Sequence, residues 1–101
     1  MKKCILIVGQ PASGKTTKMN EILSNYSNTK TIVFSHFTRY TLEYLQSLEY
    51  IGVEEIVDLE QLYFCIFCQK VFKINFVLTS QKLPLNEVKS NILSDIEIIE
   101  L

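Results

Sequence analysis

One stretch constrains this chain more than any other: Gly9-Gln10-Pro11-Ala12-Ser13-Gly14-Lys15-Thr16-Thr17. It holds the spacing glycine, four residues, glycine, lysine, threonine. The apolar run Lys3 to Val8 leads into it. A helical pattern leads out through about Asn25, with Met19, Ile22 and Leu23 on its apolar face. A continuous apolar run bounded by lysines and a glycine reads as a strand buried on both faces, as in a parallel sheet. Glycine is otherwise scarce, 3 in 101 residues, against a usual share of about 7%. Two of the three lie in this stretch. From this composition such a string arises by chance about once in a thousand chains, too rarely to dismiss.

The physical sense of the spacing is anion coordination. Gly9 and Gly14 allow backbone conformations closed to residues with a side chain. Successive N–H groups then face inward and form a nest for phosphate oxygens. A helix starting near Gly14 adds the partial positive charge of its N-terminus. The expected nucleotide contacts are Gly9, Pro11, Ala12, Ser13, Gly14, Lys15, Thr16 and Thr17. Lys15 is expected at the β- and γ-phosphates, and the Thr16 hydroxyl on Mg²⁺. Pro11 cannot donate an N–H, but its fixed φ stiffens the loop. The expected ligand is ATP or GTP with Mg²⁺; the residues do not choose the base.

The rest of the chain alternates strand and helix. Thr31 to Ser35 is predicted as a second strand and Thr41 to about Tyr50 as a helix ended by Gly52. Glu54 to Leu59 is predicted as the third strand. Gln61 to Phe72 is nearly continuously apolar, so periodicity cannot type it; its length and place between strands favour a buried helix. Ile74 to Thr79 is predicted as a fourth strand, Glu87 to Leu93 as a short helix, and Ile96 to Leu101 as a last strand. That last strand partly alternates apolar with acidic, which suits a place near the sheet edge. With no linker and no repeats, residues 1–101 are expected to form one α/β domain, a parallel sheet with helices on both faces.

Gly-Gln-Pro-Ala-Ser-Gly-Lys-Thr-Thr resembles the phosphate-binding loop of the P-loop NTPases, especially AAA-type ATPases and nucleotide kinases. The resemblance spans essentially all 101 residues. It implies a three-layer α/β/α sandwich, the P-loop NTPase fold, with a five-stranded, mainly parallel sheet in the order 5-1-4-3-2. It also implies an acid at the end of an apolar strand, in the Mg²⁺ shell. Glu54-Glu55-Ile56-Val57-Asp58-Leu59-Glu60 fits, with Asp58 as the metal ligand and Glu60 as the candidate general base beside Lys15. In the branch with a catalytic glutamate that residue directly follows the aspartate. Here Leu59 stands there, and Glu60 follows one position later. Glu54 and Glu55 then lie at the far end of their strand from the site, exposed to solvent. The end of the fourth strand, Thr79-Ser80-Gln81, resembles the γ-phosphate-sensing position, with Gln81 taken as a nucleotide contact, and its continuation Lys82-Leu83-Pro84 is similar to DNA-pumping ATPases. Any arginine finger comes from Arg39, the one arginine of the sequence, or from a partner.

Three functions compete. The first is a minimal ATPase core that binds and hydrolyses ATP·Mg²⁺ within a homo-oligomer or beside a larger protein. The second is a small nucleoside or nucleotide kinase. The third is a nucleotide-binding module without turnover. A net charge of −1 gives no support to a nucleic-acid partner, and Lys2, Lys70, Lys73 and Lys82 are scattered. No apolar run approaches the ~18 to 20 residues that span a bilayer, and no cleavage site follows the lysine-led N-terminus. The chain is therefore read as cytoplasmic, without a membrane partner. Cys4, Cys65 and Cys68 are three in number, with no second cysteine pair for a metal. Cys65-x-x-Cys68 lies inside the most apolar run and reads as core.

Overall fold

The computed structural model describes residues 4–101; the lysines predicted to open the first strand lie outside them. Five parallel strands alternate with helices. They are β1 (Cys4–Val8), β2 (Thr29–Ile32), β3 (Tyr50–Val53), β4 (Phe76–Ser80) and β5 (Glu97–Glu100). The helices are α1 (Lys15–Leu23), α2 (Leu42–Ser47), α3 (Leu59–Phe72) and α4 (Ser90–Leu93), with 3₁₀ turns at Phe34–Arg39 and Leu85–Glu87. The strand order is β2-β3-β4-β1-β5; counted from the β5 edge it is β5-β1-β4-β3-β2.

Strand alternation divides the core. Ile5, Ile7 and Val77 face Met19 and Leu23 of α1. Cys4, Leu6, Phe76 and Leu78 join a larger cluster with Leu45 of α2 and Leu62, Cys65 and Ile66 of α3. Helices thus cover both faces, an arrangement compatible with a three-layer sandwich. Leu6, Ile7, Val77 and Leu78 are wholly buried, and burying one such side chain stabilises by about 1.5–3 kcal/mol. The apolar run Gln61 to Phe72 is helical as expected, because Asp58 and Gln61 cap it. The Asp58 carboxylate accepts from Gln61 N–H at 2.9 Å, and the Gln61 side chain accepts from Val57 N–H at 2.9 Å.

The third strand corrects the sequence reading. It occupies Tyr50–Val53 rather than Glu54 to Leu59, and Gly52 lies within it rather than capping a helix. The reason is helix packing. A Cβ on Gly52 would meet Leu23 Cδ1 at 2.9 Å and Met19 Sδ at 3.1 Å. A glycine in a strand often marks such a close approach. The second strand likewise begins earlier than predicted, at Thr29, and Phe34–Arg39 turns into a 3₁₀ helix.

Gly52→Val inserts a branched side chain against α1. It is expected to destabilise the protein by about 1–3 kcal/mol, read from urea unfolding midpoints.

Candidate functional site

Parallel pairing gathers the carboxyl ends of the strands at one edge, where ligands collect in open α/β sheets. The loop after β1 crosses that edge and enters α1. Its first residue is anchored to the neighbouring strand by Gly9 N–H donating to Ser80 O at 3.1 Å. Gly9 is buried, and a Cβ there would collide with Ser13 Oγ. The loop thus closes on itself, and Ser13 Oγ is buried without a hydrogen-bond partner among the described residues. Ala12 and Gly14 both take positive φ, 62° and 93°. Gly14 precedes α1, no side chain caps that helix, and Lys18 N–H is bonded to Gly14 O at 2.9 Å. The N–H groups ahead of Lys18 therefore have no acceptor within the helix.

A cavity of about 500 Å³ lies over this helix start, lined by Pro11, Ala12, Gly14, Lys15, Thr16 and Thr17 and by Glu55 and Gln81. Lys15 is buried, with 7% of its surface exposed. Its ammonium donates to Gly9 O at 2.9 Å and to Gln10 O at 3.3 Å. The Glu55 carboxylate lies 3.8 Å from it. One residue further on, Thr16 Oγ1 donates to Glu54 Oε1 at 2.6 Å. Consecutive residues of α1 thus face consecutive acids that follow β3.

The backbone after β3 is held by β4. Glu55 takes a positive φ of 60°, which a non-glycine residue adopts at a cost of about 1–3 kcal/mol. Its N–H donates to Thr79 Oγ1 at 3.0 Å. Ile56 N–H donates to Thr79 O at 2.8 Å, and Ser80 Oγ donates to Ile56 O at 2.7 Å. Thr79 and Ser80 are buried.

Of the residues singled out from sequence, Pro11, Ala12, Gly14, Lys15, Thr16, Thr17 and Gln81 line the cavity. Gly9 and Ser13 do not line it; Gly9 and the Ser13 hydroxyl are buried within the loop. Asp58 and Glu60 do not line it. Asp58 caps α3, and Glu60 stands exposed in that helix's first turn. The acids that reach the loop are Glu54 and Glu55, which the sequence reading had set aside. The signal was present as a short apolar run followed by two acids, Tyr50-Ile51-Gly52-Val53-Glu54-Glu55. The glycine disguised it as a helix end. Arg39 is exposed at the end of its 3₁₀ turn and does not line the cavity.

The site combines a buried ammonium, an uncapped helix start, a hydroxyl and two carboxylates. This donor set suits a polyanion accompanied by a hard cation. Among the described residues no group of three or more His, Cys, Asp or Glu side chains could hold a metal. The oxygen pair of Thr16 and Glu54 does fit Mg²⁺, which takes one or two protein ligands and completes its shell with phosphates and water. Among the described residues no helix is long and apolar enough to cross a membrane. No family model matches the chain, and no curated protein matches it.

The three cysteines are free and buried. Burial pushes the Cys4 thiol up to about 12 and also raises Cys65 and Cys68. Below the ordinary thiol range, protons stay on in both the folded and the unfolded chain. Above it, the unfolded chain releases protons that the folded chain keeps. Stability is therefore expected to fall as pH rises from about 9 toward 12, by about 1.4 kcal/mol per pH unit for each strongly raised thiol. Urea unfolding under reducing conditions at a series of pH values checks this.

Proposed function

We propose that the chain is a nucleotide-binding core of the P-loop NTPase kind, which binds ATP or GTP with Mg²⁺ and hydrolyses it. The observation that carries this reading is the pairing of the first two residues of α1 with two acids: Lys15 with Glu55, and Thr16 with Glu54. In this reading the loop N–H groups and the start of α1 hold the phosphates. The Lys15 ammonium moves from the Gly9 and Gln10 carbonyls to the β- and γ-phosphates. Thr16 and Glu54 would hold Mg²⁺, which would neutralise phosphate charge when bound. Glu55 orients and deprotonates the attacking water. Asp58 and Glu60 take no part, because α3 uses the first as its cap and carries the second in its first turn.

A second reading is phosphoryl transfer to a small acceptor. It is favoured by a cavity of about 290 Å³ lined by Glu55, Ile56, Val57, Ser80, Gln81 and Lys82. That cavity shares Glu55 and Gln81 with the larger one, so an acceptor there would meet the same acid.

Isothermal titration with ATP, GTP and their slowly hydrolysed analogues, followed by phosphate release on the same sample, tests the proposal. Lys15→Ala is expected to weaken binding by about 10- to 100-fold, the loss of a charge-assisted contact. Glu55→Gln is expected to keep binding and to slow hydrolysis by about 10²- to 10⁴-fold, the loss of a general base. Asp58→Ala is expected to lower stability by about 0.5–2 kcal/mol through the lost cap and to leave nucleotide affinity within about twofold. Wild-type protein that binds none of these nucleotides at millimolar concentration would sink the proposal.

A further inference from the structure

Glu55 is one of three non-glycine residues with positive φ among those described; the others are Ala12 and Lys73. Lys73 ends α3 as a left-handed cap, and Ala12 belongs to the loop. Glu55 is the second residue after β3, and neither explanation covers it. Its conformation has a geometric consequence. In extended chain, successive side chains point to opposite faces, so Glu54 and Glu55 would diverge. The left-handed residue breaks that alternation. Glu54 then reaches Thr16 while Glu55 reaches toward Lys15.

The partner that holds this turn is Thr79. Its hydroxyl oxygen accepts the Glu55 N–H, and its carbonyl accepts the next N–H, from Ile56. Thr79 is buried, with 1% of its surface exposed, and does not line the large cavity. We infer that Thr79 is a positioning residue for Glu55: its hydroxyl, committed to the Glu55 backbone, fixes the acid in its left-handed conformation and aims the carboxylate into the phosphate cavity. The inference rests on Glu55 being the general base. It differs from the sequence expectation for the end of this strand, in which the polar residue itself senses the γ-phosphate.

Thr79→Val removes the acceptor at nearly constant volume, and Thr79→Ser keeps it. For Thr79→Val, kcat for ATP hydrolysis is expected to drop about 10- to 100-fold with KM within about threefold, as misplacement of a reacting group does. Hydrogen exchange at the Glu55 amide is expected to quicken at least about tenfold, since the protecting bond is gone. Thr79→Ser is expected to recover both to within about threefold of wild type. A Thr79→Val protein with wild-type kcat, or one whose loss lies wholly in KM, overturns the inference while leaving the nucleotide reading intact. Wild-type protein without nucleotide binding overturns that reading and the inference with it. Should Thr79→Val fail to fold, the wild-type amide decides: slow exchange at Glu55 supports the clamp, and exchange at the rate of a free loop amide overturns it.

Discussion

The parallel pairing of β1 with β4 is the constraint on which the site depends. Val8 stands opposite Ser80 in the register, and Gly9 continues the ladder by donating to Ser80 O. That one register delivers the glycine-rich loop to the same point as Thr79 and Ser80. β3 pairs with the other side of β4, Val53 opposite Leu78, so the two acids after Val53 arrive there too. Buried apolar side chains on both faces of β1 and β4 make the register stiff. A slip by one residue would turn Leu6 and Ile7, both wholly buried, toward the wrong clusters.

Within that frame the site is a set of matched neighbours. α1 presents Lys15 and Thr16, and the turn after β3 presents Glu55 and Glu54. Lys15 is largely buried but satisfied by two carbonyls, with Glu55 as a half-exposed countercharge. The ion pair at 3.8 Å is long and solvent-screened, so it adds little stability. The ammonium is therefore held mainly by two neutral carbonyls rather than by a strong ion pair. Thr79 and Ser80 are committed to the backbone after β3 and shape the site from below.

Much of this was legible in the residues, and the gaps have specific causes. The strand before Gly9 and the helix after Gly14 were readable because apolar periodicity and loop spacing agree there. Gln61 to Phe72 was read as a helix from its length, and the structure adds the Asp58–Gln61 cap that begins it. The edge position of Glu97–Glu100 was readable from its acidic alternation. The third strand was not, because Gly52 looks like a terminator unless the approach of Met19 and Leu23 is known. That displacement moved the candidate acids along the chain, from Glu54 and Glu55 to Asp58 and Glu60. No local pattern predicts the left-handed conformation of Glu55, since it is imposed by Thr79 from a strand 24 positions away.

The assignment of the acids is the centre of this account, and the metal tests it most directly. Mn²⁺ can replace Mg²⁺ with ATP on isotopically labelled protein, and paramagnetic broadening of amide signals then maps the ion. The account predicts broadening centred on Thr16, Glu54 and Glu55. Broadening centred on Asp58 and the start of α3, or none at all with ATP bound, would contradict it.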